Sequence, residues 1–212
     1  MLSIDKIVID ESTSLVKCNL SYPIINEESV YSNIINLINN VVYEDIITFK
    51  DVASDEANIN IFTLTENILH VITEYRVTLN KNNIISIPIE FSQLLGLYDI
   101  TYINCYNYDL DKSKKIKLSD LFNGDKDYIK IINDKLYRKF QYLIKRYSPE
   151  DIQKNFQGIC SEQNFYIEKD GIVLCFSSYE ISKSISHVVE FKLLFSEYEE
   201  ILSEYTINNI WS

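Results

Sequence analysis

Asn164–Leu202, NFYIEKDGIVLCFSSYEISKSISHVVEFKLLFSEYEEIL, is the stretch that decides the fold. Phe165 and Ile167 lead into Lys169-Asp170-Gly171, and Ile172, Leu174 and Phe176 lead out again. Two alternating apolar runs joined through a glycine, which tolerates φ > 0, predict a β-hairpin. Val189, Phe191, Leu193 and Phe195 then alternate with Glu190, Lys192 and Leu194, the period of a strand with one mainly buried face. Ser196 and Glu199 have capping-box spacing and predict a helix from there to about Tyr205. This stretch is scaffold, and it holds no obvious chemistry.

The rest of the chain repeats the pattern. Strands are expected over 3–10 and 15–22, the second ended by Pro23, which cannot donate to a ladder. Asn26 is placed to cap a helix with Glu27 and Glu28 in its first turn. Its stripe is Val30, Ile34, Leu37, Ile38 and Val41, and it fades near Phe49 into a polar connection over Asp51–Asn58. Antiparallel strands follow: Ile59–Thr65, turning at Glu66-Asn67, then Val71–Val77, then Ile85–Phe91 after a turn at Lys81-Asn82-Asn83. Pro88 marks the last of these as an edge or a bulge. Tyr102, Tyr106, Tyr108 and Leu110 form another strand. A second helix, capped by Asp125, carries Ile129, Ile132, Leu136, Phe140, Leu143 and Tyr147. Ser148-Pro149-Glu150-Asp151 opens a short helix stopped by Gly158. Hairpins segregated from helices imply an α+β fold. Antiparallel sheets, each backed by a long amphipathic helix, should form two tightly joined halves, 1–98 and 99–212, of one compact unit.

Composition narrows the function. With only 4 Gly among 212 residues there is little room for phosphate-cradling loops, and no P-loop, G-x-S-x-G or H-E-x-x-H occurs. Cys18, Cys105, Cys160 and Cys175 are widely spaced with no C-x-x-C, so core thiols are expected, not a zinc site or a disulfide framework. The opening MLSIDKIVIDES lacks the basic and apolar regions of a signal peptide, and no run approaches the ~18 apolar residues of a membrane span. The expected location is the cytoplasm for a native start at Met1, and outside the cytoplasm for an excised domain. Charge is uneven: residues 1–111 hold 16 acids against 5 bases, and 112–147 hold 11 bases against 4 acids. The basic segment is read as neutralising its acidic neighbours, although such asymmetry can also steer a charged partner.

Three constellations are candidate sites. Asp109, Asp111, Ser113 and Asp120 fall at EF-hand spacings, but Lys114 occupies the required glycine position, so a tight charged turn is the better reading. Cys175 and His187 offer a conceivable nucleophile and base, although they share no local activator. Lys126, Lys130, Lys135, Arg138 and Lys139, interleaved with Tyr128, Tyr137 and Tyr142, form the best nucleic-acid candidate. A net charge of −11 argues against it and for a solvated helix face. No catalytic residue, cofactor or metal ligand is assigned, and no nucleic-acid partner is expected.

The order of motifs resembles the extracytoplasmic domain of RsiV-type anti-sigma factors, shared with the accessory domain of PdaC-type peptidoglycan deacetylases. The matching residues are Tyr22-Pro23 and the helix after Asn26, Ser86–Phe91, Tyr108-Asp109-Leu110, Leu118-Ser119-Asp120-Leu121-Phe122 and the closing Phe165–Leu202. By this resemblance, 1–98 is the PdaC-accessory-like half and 99–212 the RsiV-like half. The family's Gly-Gly-Ala-His turn is replaced by Gln93–Asp99, and its glycine before the last strand by Ser186-His187-Val188. The resemblance implies a non-catalytic recognition or sensing module. Its partner would be a basic protein such as lysozyme or another cell-envelope component. The alternatives are a cytoplasmic ligand-binding or structural domain and, behind it, a cysteine-dependent hydrolase.

Overall fold

The computed structural model describes residues 1–26, 30–59, 68–96, 98–125, 127–144, 156 and 158–212. The strands are β1 (Ile4–Ser12), β2 (Val16–Ile25), β3 (Leu69–Tyr75), β4 (Leu79–Lys81), β5 (Ile84–Leu95), β6 (Tyr98–Asp109), β7 (Lys114–Lys115), β8 (Phe165–Glu168), β9 (Gly171–Phe176) and β10 (Val189–Leu194). The long helices are α1 (Ser32–Ile59) and α2 (Tyr128–Ile144). β1 to β7 make one seven-stranded sheet in the order β1-β2-β3-β5-β6-β7, with β4 also on β5; β10-β9-β8 make a second. The fold is α+β with a large, mainly antiparallel sheet.

The pairing of β2 with β3 is parallel, a departure from the antiparallel expectation. Parallel neighbours need a crossover, and α1 supplies it, packing back on the strands it joins. α1 buries Ile34, Ile35, Ile38, Val42, Ile46, Phe49, Ala53 and Ala57. It therefore continues through Asp51–Asn58, expected as a connection, because Ala53 and Ala57 keep the stripe at helical spacing without looking apolar by size. Val30 and Leu37, expected in that stripe, are exposed. Asn26 does not cap α1: its backbone N–H and side-chain amide both go to Ser3. Glu27 and Glu28 lie outside the described residues, as does most of the expected strand Ile59–Thr65; Ile59 itself ends α1.

Pro23 and Pro88 sit inside strands. Pro23 pairs with Lys6 while β3 reaches only to Leu20, so its missing N–H faces no partner strand. Pro88 lies in β5 at the centre of the sheet, not at an edge. There the register shifts: Tyr75 faces Ile89 but Leu79 faces Ser86, so residues 76–78 oppose only 87–88. The bulge lies on the facing chain, where the absent N–H of Pro88 would have pointed. Beside it, Asn82 (φ 52°) and Asn83 (φ 56°) make the doubly left-handed two-residue turn that hairpins favour.

The second half is tied to the first by a polar seam. Ser86 donates to Asn107 Oδ1 at 2.7 Å and accepts from the Ile167 N–H at 2.8 Å, while Asn107 donates to the Phe165 carbonyl at 2.7 Å. The seam is buried, so each group depends on the others. Outside it, the free edge of β6 is closed by single residues: Ser178 exchanges two bonds with the Thr101 backbone, and Asn164 donates to the Ile103 carbonyl. Position 98/99 falls just inside the start of β6, which pairs with β5 along its whole length.

α2 is capped by Asp127, which accepts from the Lys130 N–H at 3.1 Å, not by Asp125. Ile132 and Leu136 join the second core; the side chains of Phe140 and Leu143, together with Tyr147 and Ser148–Asp151, lie outside the description. Gly158 takes φ 92° against Asn133, whose Oδ1 accepts from the Ile159 N–H. At the β8–β9 turn Gly171 is not left-handed. It is required because a Cβ there would stand 2.3 Å from the Leu193 carbonyl oxygen.

The helix expected from Ser196 is replaced by two 3₁₀ turns, Phe195–Glu197 and Glu199–Ile201. Phe195, Tyr198 and Ile201 are all buried, and a three-residue period is satisfied by 3₁₀ geometry and not by an α-helix. The last helical segment starts later, where Ser203 Oγ accepts from the Thr206 N–H, and passes into a π-helical turn over Thr206–Trp211.

Candidate functional site

Where α1 crosses β6, a groove of about 200 Å³ is lined by Asp45, Thr48, Phe49, Val52, Gln93, Tyr102 and Asn104. Three elements build it. From α1, spacing of three and four residues puts Asp45, Thr48, Phe49 and Val52 on one face. From β5 and β6 come Gln93 and the alternating pair Tyr102 and Asn104. The floor is aromatic: Phe49 meets Phe91 edge-on at 5.2 Å and Tyr102 at 5.8 Å, and Phe91 stacks on Tyr102 at 4.9 Å.

Asp45 is fixed by two donors, Tyr106 Oη at 2.6 Å and Asn104 Nδ2 at 3.4 Å. Burial, then the bond to this carboxylate, pushes the Tyr106 phenol far up, so it remains a donor. Burial, and secondarily the Asp45 charge, pushes Tyr102 up to about 12. Among the described residues, Asp45 is the one carboxylate in its lining, and Val52 makes the rim partly apolar. Glu44, Asp51 and Asp55 are exposed on neighbouring turns of α1, as are Val52 and, on β6, Ile100. Lys50, the one base of α1, is drawn away by Glu11 at 3.0 Å. The arrangement suits a cationic side chain with an aliphatic stem: the Asp45 carboxylate for the charge and aromatic faces for the stem.

Tyr198 is likewise pushed up to about 12, by burial first and Glu197 second. Both phenols ionise near their ordinary value of 10 once unfolded and later when folded. The unfolded chain therefore releases protons first as pH rises, and the stability these tyrosines confer, complete below pH 10, drains between about 10 and 12. Unfolding midpoints at pH 9 and pH 11 are expected to differ in that direction. Equal midpoints would refute it.

The constellations read from sequence fare differently. Cys175 is buried, its thiol donates to the Val173 carbonyl at 3.6 Å, and the neighbouring Cys105 thiol, followed by burial, pushes it far up, which disfavours a nucleophilic thiolate. His187 is exposed in the segment before β10. Asp109 is buried and accepts from Tyr205 Oη (2.8 Å) and the Lys112 N–H (2.9 Å); Asp111 accepts from Tyr31 Oη; Asp120 accepts from the Lys117 N–H and pairs with Lys114. Those carboxylates organise turns. Among the described residues no group of three or more His, Cys, Asp or Glu side chains is placed to hold a metal ion.

On α2, Tyr128 stacks on Phe122 and Tyr137 packs against Phe156, while Lys135 lies over the Tyr198 ring at 3.7 Å. Lys130 and Arg138 are exposed; Lys126 and the side chains of Lys139 and Tyr142 lie outside the described residues. Tyr128 and Tyr137 thus each pack a ring on the protein, with Tyr137 half-exposed. Asp45 and Asn104 were not singled out from sequence. The available signals were an acid inside the apolar run Val41–Phe49 and tyrosines in place of aliphatic residues along β6.

Residues 119–205 match the family model DUF3298, described as a protein of unknown function. The DUF3298 match covers α2, the second sheet and the 3₁₀ turns, and leaves the groove outside it. No curated protein matches the chain. Two solved structures share the fold: a DUF3298-family member from Bacteroides fragilis (18% identity, TM-score 0.67, covering 97% of this chain and 95% of that one) and a DUF3298-family protein from Pseudomonas aeruginosa (14% identity, TM-score 0.67, 100% and 97%). The fold likeness therefore extends over the groove, beyond the DUF3298 match. None of these findings points to catalysis. No helix among the described residues is long and apolar enough to cross a membrane.

Proposed function

We propose that the chain is a non-catalytic protein-recognition module whose partner is basic. The observation that carries this reading is the α1–β6 groove, aromatic at its floor and lined by the Asp45 carboxylate, within residues 1–111, where acids most outnumber bases. The resemblance to the RsiV and PdaC domains points the same way and makes lysozyme the first partner to test. The two halves, 1–98 and 99–212, act in this reading as one unit, since β6 pairs with β5 and presents Tyr102 and Asn104 to α1.

A titration with lysozyme by calorimetry is expected to show binding that weakens with salt, because screening at ~10 Å in 0.1 M salt erodes long-range attraction. Val52 is exposed, so Val52→Arg should fold normally and weaken binding by roughly tenfold, through charge and bulk at the rim. Absence of heat at low and moderate salt removes lysozyme as the partner. Binding untouched by Val52→Arg removes the groove.

A further inference from the structure

We infer that the α1–β6 groove selects lysine over arginine, taking one lysine side chain from an extended segment of the partner. The inference rests on the recognition reading above and names the residue recognised. Asp45 decides it. Its Oδ2 already accepts from Tyr106 Oη at 2.6 Å and Asn104 Nδ2 at 3.4 Å, while no described residue donates to its Oδ1. An arginine fork needs two parallel acceptors, ordinarily both oxygens of one carboxylate. Here one of the two is taken. An ammonium is a compact charge with three donors, so one carboxylate oxygen can hold it while neutral oxygens accept its other N–H groups. Asn104 supplies such an oxygen: its Nδ2 is spent on Asp45, and its Oδ1 has no donor among the described residues.

The rest of the groove suits the stem and the main chain behind it. Gln93 faces Ile100 across the β5–β6 ladder, and Asn104 stands four residues further along β6, about 13 Å at strand spacing. Tyr102 lies between them, edge-on to Phe49. The charged end of the groove is therefore at Asn104, and the aromatic surface beside it can carry the methylenes of a lysine. At the far end the Gln93 amide has neither a donor nor an acceptor partner among the described residues, and a peptide unit supplies both. Asp45, Gln93, Tyr102 and Asn104 are each half-buried. Among the described residues the one buried side-chain polar atom without a partner is Tyr198 Oη, so the unpartnered atoms of the groove are open to solvent and to a ligand.

The probe is a short capped peptide with one lysine between alanines, titrated by NMR into the full chain beside the same peptide with its lysine guanidinated to homoarginine. Charge and stem are equal, and only the head differs. The lysine peptide should shift the side-chain NH₂ signals of Asn104 and Gln93 and bind roughly tenfold more tightly than its guanidinated form. Asp45→Asn keeps an oxygen for the Tyr106 hydroxyl, so it should fold, and it should remove that preference. Equal affinities with shifts in the groove would overturn the selectivity and leave the recognition reading standing. A preference that survives Asp45→Asn would overturn it as well. No shift at Asn104 or Gln93 with either peptide would overturn the inference and the groove reading together.

Discussion

Asn107→Ala is expected to lower the melting temperature by roughly 10 °C, corresponding to about 3 kcal/mol in a chain of this size. The residue is buried between the sheets, where its amide joins Ser86 to the Phe165 carbonyl. Truncation leaves that carbonyl and the Ser86 hydroxyl short of a partner, and each such loss costs about 1–3 kcal/mol. It also opens a gap the strands cannot close. Asn107→Asp should be no better, since a carboxylate has no donor for Phe165. Differential scanning calorimetry decides the matter, and a midpoint within about 2 °C of the parent would mean that the seam is not what holds the sheets together.

Gly171→Ala is expected to cost a similar amount, about 3 kcal/mol, for the opposite reason: too much matter, not too little. The added Cβ meets the backbone of Leu193 and Leu194, which cannot swing aside as a side chain would. β10 must lift from the β8–β9 turn, where the Phe195 N–H is bonded to the Asp170 carbonyl. Gly124→Ala is the control, since nothing lies within 4 Å of a Cβ there. Equal denaturation midpoints for the two variants would show that β10 is not pressed against the turn.

The hairpins were legible because alternation and turn residues are local signals. Phe165–Phe176 and Lys81–Asn83 carry both, and the structure keeps both. α1 was misjudged at its far end because Ala53 and Ala57 bury a stripe with little apolar bulk. The helix expected at Ser196 failed because capping spacing competed with the three-residue burial period of Phe195, Tyr198 and Ile201, and burial dominated. The parallel β2–β3 pair is set by how a crossover packs, which no window of sequence contains. The groove was illegible for the same reason. Asp45, Gln93, Tyr102 and Asn104 come from three elements and meet only once β5 and β6 lie under α1.

The closed edge of β6 bears on how the molecule behaves in a crowd. A free strand edge is a template on which another chain can polymerise. At Thr101 and Ile103 the places a foreign strand would dock are already taken by Ser178 and Asn164, and the Asn107 carbonyl is taken by the Ile116 N–H. At the opposite end of the sheet no strand among the described residues pairs with the outer side of β1, and Asp5, Lys6, Asp10 and Glu11 stand exposed along it. A second copy adding there in register would have to bring like charges together and strip them of water. One margin is plugged and the other guarded by charge, which leaves the sheet little means of growing into a fibre.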